Sequence, residues 1–146
     1  MATDDADYSV DGDQTVTDMI QHERFSIGIG CSSRASSDDV ILLIEASVGQ
    51  IPSGTMIATL DRRASIGEIV ASILGLRLVL FPASILASVA GVTAHSSLAF
   101  SKTRTANVAE ASALALLGPS ARLIVPQMKG RFCTCAVAAL PITVHR

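Results

Sequence analysis

The residues best equipped for chemistry lie between Phe25 and Asp39, where Phe-Ser-Ile-Gly-Ile-Gly-Cys-Ser-Ser-Arg-Ala-Ser-Ser-Asp-Asp runs from an apolar stretch into small, polar and charged residues. Gly28 and Gly30 are read as a tight turn after a strand, one that lets another molecule approach backbone N–H groups. The helix start expected at Ser36 would add unsatisfied donors and a partial positive charge. Cys31, Ser32, Ser33 and Arg34 lie between the two. This composition suits a carboxylate or phosphate. The stretch lacks the third glycine of a dinucleotide fingerprint and the Gly-Lys-Ser/Thr of a P-loop, so a nucleotide or phosphate domain is the lesser reading.

Further cations recur at comparable places. Arg62 and Arg63 follow a second apolar run, and Lys102 and Arg104 precede a helix that Asn107 is expected to cap. Lys129 and Arg131 fall between the last two expected strands. If the connections between strands are right-handed, the first two groups share one edge of a sheet, where the ligands of such sheets bind. Candidates for catalysis are fewer. Cys31 at a helix start beside Arg34 would be a nucleophile or a metal ligand if its pKa were lowered, against the plainer reading of a small side chain in a tight turn. His95, in a polar loop, would carry a proton or ligate a metal, or simply be solvated. Glu110 reads as a helix capper and Asp61 as a strand-end residue pairing with Arg62 or Arg63.

The elements that must hold these residues follow from periodicity and punctuation. Strands are expected at 25–29, 55–60, 76–81, 122–126 and 132–140. Helices are expected after Ser36 with Asp39, after Ser65 with Glu68, from Pro82 to Ala90, and after Asn107 with Glu110; Gly49, Gly75 and Gly118 stop three of them. The second helix should bury Ile66, Ile69, Val70, Ile73 and Leu74 on one face. Strands alternating with helices imply a three-layer α/β/α domain with a mainly parallel five-stranded sheet. The connection 127–131 is short enough to turn the final strand antiparallel. Val79-Leu80-Phe81 and Leu123-Ile124-Val125 read as strands buried on both sides.

With 146 residues, the chain is expected to form one domain, residues 25–146, after an acidic leader, residues 1–24, expected to be disordered. That leader holds seven acids and one arginine, whereas the remainder has ten Lys/Arg against six acids, so the body is basic although the net charge is -2. One Tyr, four Phe and no Trp leave no aromatic platform for single-stranded nucleic acid, and no nucleic-acid partner is expected. No signal peptide is evident. The uncharged run from Leu78 to Ser101 is broken by Pro82, Gly91, His95 and several serines, which argues against a membrane span. Three cysteines in an odd, wide spacing point to a reducing compartment, so a cytoplasmic protein is expected. Cys133-Thr-Cys135 would put two thiols on one side of a strand, read as small buried residues rather than a metal site.

Taken in order, Gly28-Ile-Gly-Cys31, Ala58-Thr-Leu-Asp61-Arg-Arg63-Ala64, Leu74-Gly-Leu-Arg-Leu-Val-Leu-Phe81, and Asn107-Val-Ala-Glu110-Ala-Ser-Ala113 with the Leu-Ile-Val-Pro-Gln strand after it resemble the CobE family of cobalamin biosynthesis. The same module forms the C-terminal half of the CbiG proteins, and the resemblance spans residues 25–140. It implies a role in making the corrin ring. CbiG proteins open a lactone on a cobalt-bound corrin precursor, whereas the stand-alone CobE type resembles a partner of the oxygen-dependent branch. The implied ligand is a polycarboxylate corrin intermediate, metal-free or cobalt-containing, held by Gly28, Gly30, Cys31, Ser32, Ser33, Arg34, Asp61, Arg63, Lys102, Arg104 and Asn107. No separate cofactor or resident metal is expected, and other enzymes of the pathway are candidate partners. Two departures stand out. Ser32-Ser33-Arg34 replaces two basic residues and a glycine, and Arg63-Ala64-Ser65-Ile66 replaces Lys-Ala-Asp-Glu, which removes an acidic pair suited to acid/base work.

Overall fold

The computed structural model describes residues 23–92 and 107–141, and Phe25–Leu140 form one compact unit. In chain order the elements are β1 (Glu23–Cys31), α1 (Ser37–Val48), β2 (Met56–Leu60), a 3-10 turn (Asp61–Arg63), α2 (Ala64–Leu74), β3 (Arg77–Phe81), α3 (Ala83–Ala87), α4 (Val108–Leu117), β4 (Arg122–Lys129) and β5 (Cys133–Pro141). The sheet has the order β3-β2-β1-β5-β4. β1, β2 and β3 are parallel to one another, and β4 is antiparallel to β5. A mainly parallel α/β sheet with one antiparallel strand therefore forms as expected. The strand that carries the reversal is inserted beside β1 rather than added at the edge.

Each face of the sheet has its own core. On one face Ile27, Ile29 and Ile57 meet Val40, Leu43 and Ile44 of α1, Val70 and Ala71 of α2, and Cys133, Cys135 and Val137 of β5. On the other, Leu60 packs with Leu86 of α3 and Ala111 of α4, and Ala138 with Ala113 and Leu114. Strand alternation explains the division, since residues of even and odd number point to opposite faces. The reading of Cys133 and Cys135 as small buried side chains on one side of a strand holds.

The helix stops hold as well. Gly49, Gly75 and Gly118 end α1, α2 and α4 with positive φ, where a side chain would be strained. Ser36 and Asp39 form the expected capping box, and the Ser36 backbone holds the Asp39 carboxyl below its usual range. Asn107 Oδ1 accepts from the Glu110 N–H at 3.0 Å and caps α4.

Four expectations are corrected. Gly28 and Gly30 make no turn: they lie inside β1 with no positive φ, and the chain first turns at Ser33 and Arg34. They are small because α4 lies across them, so close that a Cβ on Gly28 would sit 1.9 Å from the Ala109 carbonyl oxygen. Ser65 does not cap α2, whose N-cap is Arg63, two residues earlier, without a side-chain hydrogen bond. The helix therefore rotates Ile69 and Ile73 outward, 50% and 60% exposed, and buries Gly67, Val70 and Ala71. The runs around Leu80 and Ile124 are the two edge strands, β3 and β4, with both residues exposed. The continuously buried strands are β1, β2 and β5, built largely of Ala, Gly, Ser, Thr and Cys with a few β-branched residues. Finally, β4 runs on to Lys129 through a bulge between Val125 and Met128, leaving only Gly130–Phe132 as the connection.

Candidate functional site

The end of β1 is the point where separate parts of the chain meet. The Ser32 N–H donates to the Phe132 carbonyl at 2.9 Å, and Ser32 also closes the turn toward α1 by accepting from the Ala35 N–H at 3.2 Å. From the neighbouring β2 connection the Arg63 Nε–H donates to the Cys31 carbonyl at 3.0 Å. This bond satisfies a carbonyl where the sheet ladder ends and fixes the guanidinium beside it. On the other flank the Arg34 guanidinium carbon stands 4.5 Å from the centroid of the Phe132 ring, and that of Arg131 5.5 Å. Both distances fall within cation–π range, so two exposed charges share one aromatic face or edge.

Phe132 has φ 64, the one positive value among the described residues other than glycine. For a bulky residue this conformation is rare and costs of order 1–3 kcal/mol. The surrounding hydrogen bond from Ser32 and the two arginines hold it there. A hollow of about 340 Å³, lined by Asp39, Leu42, Leu43, Gly130 and Arg131, opens beside this corner.

Three helices start near the same end of the sheet, but they are not equivalent. The amides of α1 are already met by its capping box, and Asp38 and Asp39 occupy its first turn. The start of α4 lies against β1, since a Cβ on Gly30 would stand 3.6 Å from the Ala109 nitrogen. There the Asn107 Nδ2 is buried and has no hydrogen-bond partner among the described residues. Of these three, only α2, entered through Arg63, lacks a side-chain cap, and its first amide, that of Ala64, donates to the Asp61 carbonyl of the 3-10 turn.

The expected site residues divide accordingly. Cys31, Ser32, Ser33, Arg34 and Arg63 share the corner, and Asn107 lies at the neighbouring helix start. Asp61 is exposed in the 3-10 turn. Gly28 is buried under α4 and Gly30 is partly covered, so neither presents its backbone to a ligand. His95, Lys102 and Arg104 lie outside the described residues. Phe132 was not expected at the site, although Gly130-Arg131-Phe132 in a three-residue connection is a visible signal of an aromatic held at a loop tip. Arg131 could be placed only once the length of β4 was known.

The chemistry available to Cys31 is restrained by its surroundings. Burial pushes its thiol up to about 11, with Cys133 adding to the rise and Arg63 opposing it. At neutral pH the group is protonated and packs as a small apolar side chain, the plainer of its two readings. Glu110 is fully buried, and its Oε2 accepts from the Gln127 N–H at 2.8 Å across the β4 bulge. Its carboxylate thus ties α4 to an edge strand. No group of three or more His, Cys, Asp or Glu suited to a metal ion occurs among the described residues, and no helix among them is long and apolar enough to cross a membrane.

A larger cavity of about 400 Å³ lies between α3 and α4, lined by Phe81, Ile85, Val89, Leu114 and Pro119 among others. Among the described residues no charged side chain lines it, whereas the β1 corner offers cations.

Comparison with known proteins places this architecture. Among curated proteins none matches. The crystal structure of CobE, a protein from the cobalamin biosynthetic pathway, superposes with a TM-score of 0.70 at 24% identity, covering 86% of this chain and 96% of that one. Cobalamin biosynthesis protein chiG from Agrobacterium tumefaciens str. C58 gives 0.56 at 27% identity, over 78% of this chain and 96% of that one. The Sulfolobus solfataricus homolog of cobalamin biosynthesis protein G gives 0.60 at 23% identity; the match covers 80% of this chain but 36% of that longer one. The family model described as cobalamin synthesis G C-terminus matches residues 25–138. The chain therefore belongs to the CobE/CbiG C-terminal family of cobalamin biosynthesis proteins.

Proposed function

We propose that the corner at the end of β1 binds a polycarboxylate corrin-ring intermediate. The observation that carries this reading is the convergence of Arg34, Arg63 and Arg131 from three separate connections around Cys31, Ser32 and Phe132. Corrin precursors are broad rings fringed with acetate and propionate groups, so cations spaced around an aromatic side chain match both the fringe and the ring. Arg34 and Arg131 are exposed, so each is worth less than a shielded charge-assisted hydrogen bond.

Lactone hydrolysis by this chain is less well supported. It needs a positioned base, and the described candidates are a protonated Cys31, an exposed Asp61 and a Glu110 engaged with β4.

Visible-absorption titration tests the reading with a metal-free hydrogenobyrinic-acid-type corrin and its cobalt form. Binding should shift the corrin bands and weaken as salt rises. Arg34→Ala, Arg63→Ala and Arg131→Ala should each weaken it by roughly three- to tenfold, which corresponds to about 0.7–1.4 kcal/mol. Bands that stay fixed at high protein concentration would overturn the proposal.

A further inference from the structure

A second feature of the same corner lies behind the arginines. The Ser32 N–H···O=C Phe132 bond sets Ser32 opposite Phe132, and a Cβ on Gly30 would stand 2.7 Å from Thr134 Oγ1. Moving from 32 to 30 on one strand moves from 132 to 134 on the other, so β1 and β5 are antiparallel neighbours with Cys31 directly opposite Cys133. Because Ser32 and Phe132 form the hydrogen-bonded pair, Cys31 and Cys133 form the next, closely spaced non-hydrogen-bonded pair, whose Cα atoms stand about 4.5 Å apart in such ladders. That separation lies at the short end of the range a disulfide spans, roughly 4.4–6.8 Å. Both side chains point to the same face, since Cys31 packs against the cluster that contains Cys133, and both thiols are free. Cys135 is two residues further along β5, opposite Ile29 by the same register. Its own distinct contact is with Ser47.

We propose that Cys31 and Cys133 are a cross-strand dithiol that closes reversibly to a disulfide, stapling the end of β1 to the start of β5 directly behind Arg34 and Phe132. The oxidant is a small-molecule disulfide of the glutathione class. The sulfur of Cys31, the less buried residue of the two, loses its proton to solvent and attacks one sulfur of the oxidant, releasing the other as a thiol and leaving a mixed disulfide. The Cys133 sulfur, losing its own proton, then attacks the Cys31 sulfur and releases the second thiol. Two protein thiols are oxidised and one disulfide is reduced to two thiols, so the exchange balances. Reaction is slow at neutral pH and faster in alkali, because it needs thiolate at a buried position. The staple is a property of the strands and does not depend on what the arginines bind.

The test incubates the folded full chain with oxidised glutathione at pH 8.5 and maps the products by peptide mass spectrometry. Expected is loss of two mass units, a linked pair of peptides carrying Cys31 and Cys133, reversal by dithiothreitol, and a Tm higher by roughly 5 °C or more, since the bond closes a long loop. Cys135→Ser should still form the link, and Cys31→Ser should not. Three unmodified thiols after prolonged oxidation, a different pairing, or Cys31 held only as a glutathione adduct would each overturn the proposal. The wild-type peptide map decides the matter even if a variant fails to fold.

Discussion

Gly28→Ala is expected to be severely destabilising. The added methyl would lie 1.9 Å from the Ala109 carbonyl oxygen and 2.6 Å from the Ala113 nitrogen, and both are helix backbone. A flexible side chain in that place would rotate away, but α4 would have to move as a body. That motion would also break the Ser26 hydroxyl's 2.6 Å hydrogen bond to the Ala113 carbonyl. Overpacking in cores costs about 1–3 kcal/mol where side chains yield, and more where they do not. Against a typical total stability of roughly 5–15 kcal/mol, a loss above 3 kcal/mol lowers Tm by more than about 10 °C. Gly30→Ala supplies the contrast, since its nearest contact is the hydroxyl oxygen of Thr134 at 2.7 Å, a side-chain atom able to swing aside. Thermal unfolding of the two variants followed by circular dichroism should show a small loss for Gly30→Ala and a large one for Gly28→Ala. Equal losses would mean that α4 does not rest on β1 as described.

Glu110→Ala should produce the next largest loss. Glu110 is completely buried, and its carboxylate accepts the Gln127 N–H where the bulge in β4 takes that amide out of the regular ladder and Pro126 has no N–H to give. Truncation leaves a cavity and an orphaned amide together, a combined cost of about 3 kcal/mol. Glu110→Gln keeps the shape and an acceptor oxygen, so it should lose markedly less. Urea unfolding that ranks alanine well below glutamine, with glutamine below wild type, supports this assignment; indifference to both changes contradicts it.

These two residues show how far the sequence could be read. Strand and helix order, three glycine stops and the Ser36 capping box were legible because each rests on local rules of spacing and capping. What Gly28 does was not legible. A glycine that makes a turn and a glycine that makes room for a distant helix look alike in sequence, and the contact with Ala109 spans most of the chain. Edge and central strands were exchanged for a related reason. Leu-Val-Leu-Phe suggests deep burial, yet the strands covered by helices on both sides here are rich in small residues, because α4 packs its own alanines close to the sheet. The register that rotates Ile69 and Ile73 outward follows from α2 beginning directly after a 3-10 turn, which Ser65 and Glu68 obscured.

The candidate site was partly legible for the same physical reasons. Arg34 and Arg63 follow strand ends, and parallel strands bring their ends together whatever their distance in sequence. Phe132 and Arg131 come from the connection into the antiparallel strand, whose insertion beside β1 depends on sheet order, which no local pattern encodes. The departures from the family pattern are consistent with this geometry. Ser32-Ser33 loses the usual pair of bases, while Arg131, delivered from the opposite side, adds a charge near Phe132.

The most direct test of the corner as the binding site is residue-by-residue observation of backbone amides by NMR as a hydrogenobyrinic-acid-type corrin is added. The predicted result is a continuous set of saturating shifts at Ser32, Ser33, Arg34, Arg63, Arg131 and Phe132. Shifts confined to Phe81, Ile85, Val89 and Leu114 around the apolar cavity, with the β1 corner unmoved, would contradict it.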